Sequence, residues 1–546
     1  MNLMPRRSAV LIVGAGPTGL TLAIRLRQLG VDCLVIDRLD KPMPWSRALG
    51  LHARTLEIFH ALDVLNAVRR RSTVQTGVTI HNNQGPLLSL DLTTLDAPFP
   101  WVLSCPQSDV EAALTERLEA LGGRVWRGVE LQSFIQHGDG VEARLRTEDM
   151  DHDIHCELMV GCDGARSLVR EQSGISFDGV TESDHFLIAD LDIGWSLSAD
   201  SSHGFLLAEG SLIALPMPDC WRLVINQAAS DDTEGEVTLA PFRDRLAAAL
   251  GECPPLGEPR WLTRFSIHRR LASRYRLNRV FLAGDACHVQ SPLGAQGMNT
   301  GIADAFNLAW KLALFIEGMG GGRLLDSYER ERRPVARAML YSVDVLSRSS
   351  FARNRLLRAG RDWVLRTMNR HPSLGARLLR RASQLDVAYR DSVLVGEGSG
   401  IWPTDKVGPL PGERMPDATL TTPRGQQQVH LVDLLRDPRH HLLIQLDDEP
   451  SPQQLVTLYA LADRVPGEFG GWLRTVVVSG PDNPASLAEL SEFDLSVLAD
   501  RNGEFRGRFG GGGALWLMRP DGHLGYRAGF ADADQLLLWL RNLRRR

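Results

Sequence analysis

The chain has 546 residues, of which 43% are hydrophobic and 23% are charged, and its formal net charge at pH 7 is -5. This composition excludes a disordered chain, and a nucleic-acid-binding protein would usually carry a strong basic excess. At typical domain sizes the length predicts about three domains. The seven cysteines are odd in number and include no Cys-x-x-Cys pair, which disfavours a disulfide framework and favours a reducing cytoplasm.

The first 40 residues have the pattern of a βαβ unit. Residues 9–13 form a short apolar run that ends in glycines and predicts a buried strand. Residues 18–29 have helical spacing of their apolar positions, and residues 31–37 predict a second strand. The first run is too short for a signal peptide or a membrane span, so we expect no membrane-spanning segment there.

The middle of the chain changes from strands to helices. Residues 205–228 are apolar segments around a Pro-Met-Pro-Asp turn at 216–219, which predicts an antiparallel hairpin in a sheet domain. Residues 279–284 predict another buried strand. A helical pattern runs over 303–315, and further helices are predicted to about residue 383.

Three features mark the rest of the chain. Segment 351–381 holds nine arginines and one acid, which we interpret as a solvated helix face packed against the body of the protein; an anionic partner site is the alternative. Residues 396–416 are rich in glycine and proline and predict a linker. Strands at 441–445 and 473–478 then predict a separate, independently packed α/β domain.

A Gly-x-Gly-x-x-Gly motif lies between the first predicted strand and the first predicted helix. Gly14 permits the tight turn, Gly16 lets a pyrophosphate approach the backbone, and Gly19 lets the helix pack closely. The amides at the helix start, around Thr18, favour phosphate charge. Asp37 ends the second strand, where an acid accepts hydrogen bonds from ribose hydroxyls. The motif predicts adenine dinucleotide binding, with a purely structural turn as the alternative, and does not choose between FAD and NAD.

A second glycine-rich loop favours a flavin. The apolar strand at 280–283 ends in Gly284 and Asp285, and the loop continues to a helix. Asp285 can accept a hydrogen bond from a sugar-alcohol chain, while the glycines let backbone amides reach the pyrimidine edge of a ring. The helix start favours the negative charge of that ring. The cofactor-binding candidates in this loop are Gly284, Asp285, Pro292, Gly297, Met298 and Asn299.

This loop resembles the Gly-Asp motif of the flavoprotein monooxygenases related to para-hydroxybenzoate and phenol hydroxylases. Cys287 stands where those proteins usually have alanine, and both side chains are small and apolar. Segment 162–167 is similar to the Asp-Gly motif of the same family. This similarity implies that Asp163 lies near the FAD pyrophosphate and helps to bind the nicotinamide cofactor.

Two further stretches carry the resemblance. Segments 46–48 and 54–57 are similar to the family's stretch after the second strand, which implies that Arg47 lies near the FAD phosphates or the nicotinamide cofactor. A guanidinium binds a phosphate in bidentate fashion. Gln107 matches a family glutamine that contacts FAD, and Arg38, next to the acid of the second strand, is also assigned to the cofactor. The four motifs together cover about residues 8–345.

The resemblance implies an α/β protein with a Rossmann-like FAD-binding domain, an inserted β-sheet substrate domain and a thioredoxin-like C-terminal domain. The expected bounds are 1–72, 98–178 and 279–395 for the FAD-binding domain with its helical segment, 73–97 and 179–278 for the substrate domain, 396–416 for the linker, and 417–546 for the thioredoxin-like domain. This last region contains no cysteine. Thiol redox chemistry is therefore excluded there, and a packing or dimer-stabilising role is favoured.

The resemblance also implies the reaction. NADH or NADPH reduces FAD, dioxygen adds at the flavin C4a atom, and the resulting hydroperoxide passes its distal oxygen to a phenolic or polyketide-type aromatic substrate. The protein positions the ring and excludes water. An FAD-dependent reductase or dehydrogenase, and a non-catalytic flavin-binding regulatory protein, are the alternatives. We expect no metal and no nucleic-acid partner, a cytoplasmic location, and a homodimer as the candidate assembly.

His52 is the candidate catalytic residue. In relatives this stretch passes near the substrate pocket, so His52 could orient or deprotonate a phenol. Phenol hydroxylases carry an aspartate where this chain has Leu49, so that acid does not carry over. A packed or surface histidine is the favoured interpretation, because the sequence names no partner for the ring. His440 and His441 have no cysteine or acid at ligand spacing, so we expect no metal there.

Overall fold

The computed structural model describes residues 4–44, 48–208, 210–227, 236–290, 294–350, 354–399, 408–422, 427–481 and 495–545. The helices are α1 (Pro17–Gln28), α2 (Ala53–Ala61), α3 (Leu65–Arg69), α4 (Gln107–Ala120), α5 (Leu168–Gln172), α6 (Ala240–Leu250), α7 (Gln296–Ile316), α8 (Gly322–Ser350), α9 (Arg355–Arg370), α10 (Pro372–Ala382), α11 (Pro452–Phe469), α12 (Glu504–Phe509) and α13 (Ala533–Arg544). The strands are β1 (Arg7–Val13), β2 (Cys33–Asp37), β3 (Gly50–Leu51), β4 (Thr73–Gln75), β5 (Gly77–Asn82), β6 (Gly85–Asp91), β7 (Val102–Ser104), β8 (Val125–Arg127), β9 (Glu130–Gln136), β10 (Val141–Arg146), β11 (Asp151–Gly161), β12 (Phe177–Leu191), β13 (Ser201–Leu207), β14 (Gly210–Pro216), β15 (Trp221–Gln227), β16 (Trp261–Ala272), β17 (Arg276–Leu277), β18 (Val280–Leu282), β19 (His288–Val289), β20 (Gly396–Glu397), β21 (Thr419–Thr421), β22 (Gln428–His430), β23 (His440–Gln445), β24 (Leu473–Ser479), β25 (Leu495–Ala499), β26 (Ala514–Met518) and β27 (Leu524–Gly529).

The first sheet places strands that are distant in the chain side by side. Its order is β17-β18-β11-β1-β2-β8, and the five strands from β18 to β8 run parallel. Strands β9 and β10 extend it beside β11 as an antiparallel ribbon. The parallel strands end at one edge, which brings Val13, Asp37, Gly161 and Leu282 close together. Ligands of such sheets bind at this carboxyl edge.

The second sheet combines two separate stretches of chain, residues 77–91 and 177–289. Its order is β19-β16-β12-β15-β14-β13-β5-β6, and its neighbours are antiparallel except for β5 and β13. The predicted hairpin is confirmed, because Pro216 pairs with Trp221 across the turn between β14 and β15. Helix α6 covers one face through Phe242 and Leu246.

The C-terminal region forms a third, mixed sheet of order β20-β27-β26-β23-β24-β25-β21-β22. Helices α11 and α13 pack on it through an apolar cluster. Strand β20 consists of Gly396 and Glu397, which the composition placed in a linker, and it pairs with Tyr526 and Arg527. The sheet therefore starts earlier than the glycine and proline content indicates. Residues 400–407 of the predicted linker lie outside the described residues.

A buried ion network joins the third sheet to helices α7 and α8. Arg519 donates to both carboxylate oxygens of Glu331 at 2.8 Å and binds Asp521 at 2.6 Å. Lys311 binds the same glutamate at 2.7 Å, and all four side chains are at most 2% exposed. Burial alone would raise the pKa of Glu331, but the cations of Arg519 and Lys311 outweigh burial and lower this pKa. These elements thus share one buried electrostatic unit.

Helix α7 begins earlier than the sequence predicted. Ala295 has a left-handed backbone with φ of 53°, and the helix starts directly after it at Gln296. Gly297 is a loop signal in the sequence but lies in the first turn of α7, as do Met298 and Asn299. Within the described ranges, no helix combines the length and the apolar character needed to cross a bilayer.

Candidate active site

A cavity of about 1000 Å³ lies between the carboxyl edge of the first sheet and the second sheet. This volume is at the upper end of the range typical of small-molecule sites. The predicted site residues that line it are Gly16, Thr18, Asp37, His52, Gln107, Asp285, Gly297 and Met298. Those that do not line it are Gly14, Gly19, Arg38, Asp163, Gly284 and Asn299. Arg47 and Pro292 lie outside the described residues.

The glycine turn before α1 has a different geometry at each glycine. Gly14 has φ of +106°, and a Cβ there would lie 2.3 Å from the Cys162 carbonyl oxygen. A Cβ on Gly19 would lie 2.0 Å from the Gly14 oxygen, whereas a Cβ on Gly16 would meet no atom within 4 Å. Two glycines therefore serve the packing of the turn. Gly16 leaves open space at the start of α1, where a pyrophosphate can approach the backbone.

Asp37 closes this turn from the neighbouring strand. Its Oδ2 accepts a hydrogen bond from the Ala15 amide at 2.8 Å, and its Oδ1 accepts one from the Leu39 amide at 2.9 Å. A carboxylate has about four acceptor positions, so Asp37 can still accept hydrogen bonds from ribose hydroxyls in the cavity. Arg38 follows it as an exposed residue outside the cavity wall.

Thr18 packs helix α1 against the second glycine-rich loop. A Cβ on Gly284 would lie 2.6 Å from Thr18 Oγ1, and a Cβ on Gly301 would lie 2.5 Å from the same atom. Both glycines therefore permit the close contact of α1 with α7. This contact holds the two predicted cofactor motifs in one fixed arrangement.

The flavin loop presents Asp285 and the start of α7 to the cavity. Asp285 follows β18, and its side chain is exposed only towards the cavity. The protein that encloses the carboxyl group keeps water away from it, and this burial raises its pKa. Gly297 also lines the cavity, and a Cβ there would meet no atom within 4 Å. The free amides of the first turn of α7 favour a negatively charged ring edge. Open backbone at both Gly16 and Gly297 fits a long ligand such as FAD.

Asn299 organises the stretch that contains His52. Its Oδ1 accepts hydrogen bonds from the His52 amide at 2.9 Å and the Thr55 hydroxyl at 2.6 Å. Its Nδ2 donates to the Gly50 carbonyl at 2.9 Å and to the Ala295 carbonyl at 2.6 Å. Asn299 is fully buried and does not line the cavity. Its place in the structure is that of a positioning residue for the cavity wall.

His52 is half-buried, precedes α2 and lines the cavity. Its Nε2 lies 2.9 Å from the Gly294 carbonyl oxygen, which can only accept, so Nε2 carries the proton in a neutral ring. Burial lowers the pKa of His52, which favours that neutral form. The lone pair on Nδ1 is then the basic position of the ring. The sequence could not name the Gly294 partner, because 242 residues separate the two.

Gln107 lines the cavity, whereas Asp163 lies between two residues that do. Asp163 Oδ2 accepts a hydrogen bond from the Val169 amide at 3.1 Å, and burial raises the pKa of this carboxyl. Its neighbours Cys162 and Gly164 line the cavity. Gln107 begins α4, lines the cavity and donates to Glu111 at 2.8 Å.

The second sheet supplies the wall that sequence motifs did not reveal. Most of this wall is apolar, and its apolar members include Val78, Ile80, Ile188, Ile213, Leu215, Val224, Trp261 and Phe265. Ser202, His203 and His268 add polar groups. These residues come from six different strands, and no local spacing in the sequence connects them. An apolar wall with a few polar groups is typical of a small-molecule site.

Arg222 is the charged residue of this wall. Its Nε and Nη2 donate to the two carboxylate oxygens of Asp190, each at 2.7 Å, and the side chains are 3% and 8% exposed. The guanidinium carbon lies 5.3 Å from the centre of the Trp261 ring. Among the described residues, Nη1 has no hydrogen-bond partner. An arginine among the apolar residues at 221–225 of β15 is the signal that the sequence analysis overlooked.

Behind the flavin loop, Cys287, His288 and Asp304 form a buried cluster. Asp304 binds His288 at 2.6 Å and Arg332 at 2.7 Å, and it accepts the Gly284 amide at 3.3 Å. Burial alone would raise the pKa of Asp304, but Arg332 and His288 outweigh burial and lower it. The Arg332 guanidinium thus supplies a permanent positive charge at this carboxylate. The cluster supports the loop from behind and carries no argument for a metal.

Comparisons with known proteins agree with this geometry. A family model for the FAD binding domain matches residues 7–343. The 6-methylpretetramide 4-monooxygenase of Streptomyces rimosus is 34% identical over 534 residues, which cover 95% of this chain and 91% of that protein. Pentachlorophenol 4-monooxygenase of Sphingobium chlorophenolicum is 30% identical over 541 residues, covering 97% and 95%. The solved structure of OxyS anhydrotetracycline hydroxylase from Streptomyces rimosus matches with a TM-score of 0.75, 30% identity and 98% coverage of both chains.

These similarities extend over more than nine-tenths of the chain. They confirm the α/β architecture implied by the glycine motifs, and they confirm FAD as the cofactor with NADH or NADPH as co-substrate. The chain belongs to the family defined by this FAD binding domain and is an FAD-dependent aromatic monooxygenase.

Proposed function

We propose that the chain hydroxylates a phenolic ring in a fused-ring, polyketide-type compound. The observation that carries this proposal is the broad apolar wall of the second sheet, which faces the same cavity as Gly16 and Asp285. Trp261 and Phe265 give this wall flat aromatic surfaces, which pack well against a planar ring system. The names of the relatives include anhydrotetracycline and pentachlorophenol, so a single-ring phenol is the second candidate.

Residues of the first sheet and its loops would hold FAD. Gly16 and the start of α1 would receive the pyrophosphate, Asp37 the ribose, and Asp285 with the start of α7 the sugar-alcohol chain and ring edge. Gln107, Met298, Arg38, Arg47 and Asp163 complete the proposed set, the last two also for the nicotinamide cofactor. The chemistry that FAD supplies when bound is hydride acceptance from NADH or NADPH and activation of dioxygen.

The side chains of the cavity would prepare the substrate. The apolar wall excludes water and orients the ring, which protects a reactive oxygen donor from hydrolysis. The Asp190 carboxylate holds the Arg222 guanidinium in one orientation, where a substrate oxygen can meet a fixed positive charge. We assign the phenolic proton to Nδ1 of neutral His52, because removal of this proton raises electron density on the ring.

The test is a measurement of oxygen incorporation. The purified holoenzyme is incubated with NADH or NADPH, ¹⁸O-labelled dioxygen and a panel that runs from single-ring phenols to fused-ring polyketides. We expect substrate-stimulated oxidation of the nicotinamide cofactor and one labelled oxygen atom in a fused-ring product. A product that is reduced and unlabelled would identify a reductase or dehydrogenase instead. Flavin binding without any substrate-dependent oxidation across the panel would favour a regulatory protein.

Location and assembly are also proposals. All seven cysteines are free thiols, which supports a reducing cytoplasm as the location. A homodimer stays a prediction from the resemblance, and sedimentation velocity over a range of protein concentrations tests it.

A further inference from the structure

Helices α8 to α10 expose an unusual amount of apolar surface. Eight of the seventeen large apolar side chains that the described residues leave exposed lie between positions 341 and 378. They are Tyr341, Val345, Leu356, Leu357, Trp363, Val364, Leu374 and Leu378. Helix α9 contacts both α8 and α10, so these side chains belong to one surface. We call it the α8–α10 face.

Helix α9 is oriented with its polar side towards the protein. Asp362 accepts a hydrogen bond from Asn82 at 2.9 Å, and Asn369 accepts one from the Ser89 amide at 2.9 Å. Leu356 and Trp363 are seven residues apart and therefore lie on one side of the helix, where they are 81% and 67% exposed. None of the residues of α9 is buried. The segment is thus exposed to solvent and packed against the body of the protein, but the sequence did not predict that the outer side of α9 carries large apolar side chains.

The charge of α9 and α10 is mostly positive. Residues 354–381 hold eight arginines and a single acid in a chain of net charge -5. The acid, Asp362, is already paired with Arg361 at 2.8 Å and with Asn82. Four arginines of α9 line a cavity between this helix and the second sheet: Arg355, Arg358, Arg361 and Arg366. Arg370, at the end of α9, and Arg377, in α10, are exposed and do not line that cavity. The face thus combines protruding apolar side chains with uncompensated positive charge.

We propose that the α8–α10 face binds the surface of an anionic lipid bilayer. Basic amphipathic helices with tryptophan and leucine on the apolar side lie in the bilayer interface, where apolar side chains enter the lipid and arginines meet anionic headgroups. Tryptophan is favoured at that depth. The enzyme would then be a peripheral membrane protein, which agrees with the lack of any bilayer-crossing helix among the described residues.

Two observations favour a lipid surface over a protein partner. A symmetric contact between two copies would place the arginines of one α8–α10 face against those of the other, and like charges repel. A groove for a partner helix would shield its apolar side chains between walls, whereas Leu356 and Trp363 protrude with most of their surface free. Protruding apolar groups suit a deformable lipid interface better than a groove.

The experiment is co-sedimentation of the FAD-loaded protein with vesicles of phosphatidylcholine alone, or of phosphatidylcholine mixed with phosphatidylglycerol. We expect binding to the mixed vesicles at low ionic strength, weakening as salt rises, and little binding to phosphatidylcholine alone. Absence of binding to the mixed vesicles at low ionic strength would overturn the proposal. Equal binding to both compositions would also overturn it, because the arginines would then have no part.

Variants locate the binding surface. Leu356→Ser with Trp363→Ser should weaken vesicle binding by about a hundredfold, because two large apolar side chains no longer enter the lipid. The matched control is Val456→Ser with Leu538→Ser, two similarly exposed side chains elsewhere, which should bind like the wild type. If the control weakens binding as much as the test pair, the proposed face is wrong.

Charge variants give a second readout. Arg370→Gln with Arg377→Gln should weaken binding by roughly 25-fold, and the control Arg6→Gln with Arg7→Gln should change little. All variants should keep their FAD absorbance, since these residues lie outside the cavity. Sedimentation velocity of the Leu356 and Trp363 variant tests whether a second copy of the chain binds this face instead of lipid. Conversion of a wild-type dimer to a monomer would assign the face to a second copy of the chain and overturn the lipid assignment.

Discussion

The two walls of the cavity recognise their ligands in different ways. The wall from the first sheet and its loops offers exposed backbone to the ligand at Gly16 and Gly297, where a Cβ would meet no protein atom within 4 Å. The wall from the second sheet offers side chains such as Arg222, Trp261 and Phe265. Backbone recognition needs glycine at fixed spacing, so it remains visible in the sequence. Side-chain recognition by several strands leaves no such spacing.

The largest effect is expected at the buried Asp190–Arg222 pair of the side-chain wall. Asp190→Asn should destabilise the protein by about 3–5 kcal/mol, because it leaves the Arg222 guanidinium buried without its counter-charge. Urea unfolding monitored by circular dichroism measures this loss. The matched control is Asp190→Leu with Arg222→Met, which should unfold close to wild type because no charge stays buried. If the control is stable but its KM for substrate is unchanged, Arg222 has no part in substrate binding.

The glycine turn tests the backbone wall. Gly14→Ala should destabilise the apoprotein by roughly 2–4 kcal/mol, because Gly14 has a positive φ and its Cβ would collide with the Cys162 carbonyl. Gly16→Ala should leave the apoprotein as stable as the wild type but weaken FAD binding, since its Cβ would enter open cavity space. Thermal unfolding of the apoprotein and FAD titration separate the two effects. Equal losses of stability in both variants would contradict the division between packing and binding glycines.

His52 lies where the two walls meet. His52→Gln should lower hydroxylation by about a hundredfold and increase peroxide release, while reduction of FAD by NADH or NADPH should change little. Product formed per NADH or NADPH consumed at saturating substrate measures this effect. His60→Gln, on the outer part of the same helix, is the control and should retain wild-type coupling. If the His52 variant also retains wild-type coupling, His52 has no role in proton transfer and only packs in the cavity wall.

The pH dependence gives His52 a second test. Burial lowers its pKa below the ordinary value of 6.5, so the neutral, basic form persists as pH falls below 6.5. Hydroxylation should therefore decline only at pH values below 6.5, and the decline should be absent from the residual activity of His52→Gln. A wild-type rate that already falls between pH 8 and pH 7 would assign the proton transfer to another group.

Asp285→Ala should have the smallest effect. It removes a hydrogen-bond acceptor at the cavity wall, so FAD affinity should fall by about tenfold without loss of the fold. Fluorescence titration of the apoprotein with FAD measures the change. An unchanged affinity would mean that the Gly-Asp loop does not contact the cofactor.

The sequence predicted the first sheet well because its strands and glycine turns obey local rules. The βαβ unit and the strand before Gly284 rest on patterns of fewer than about 40 residues, and so does the 216–219 hairpin of the second sheet. The start of α7 was placed too late, because Gly297 reads as a loop residue and only the left-handed backbone of Ala295 shows where the helix begins.

Local sequence patterns could not predict the contacts between residues that are distant in the chain. Asn299 holds the amide of His52, and the Gly294 carbonyl holds its ring, through contacts that join residues more than 240 positions apart. Asp190 and Arg222 meet because β12 and β15 are neighbours in the sheet, which neither strand alone indicates. The apolar outer side of α9 was missed for the same reason. Helical spacing shows that two faces exist, and the fold decides which one turns outward.

The ion network of Lys311, Glu331, Arg519 and Asp521 limits how this protein can be recombined with its relatives. The sequence suggested an independently packed C-terminal unit. However, cutting the chain before β21 would remove Arg519 and leave the buried Glu331 with Lys311 as its remaining cation. A chimera with the C-terminal sheet of another protein would also lack this cation, unless that sheet has an arginine and an aspartate at the positions of Arg519 and Asp521. The C-terminal sheet and helices α7 and α8 therefore need to be exchanged together.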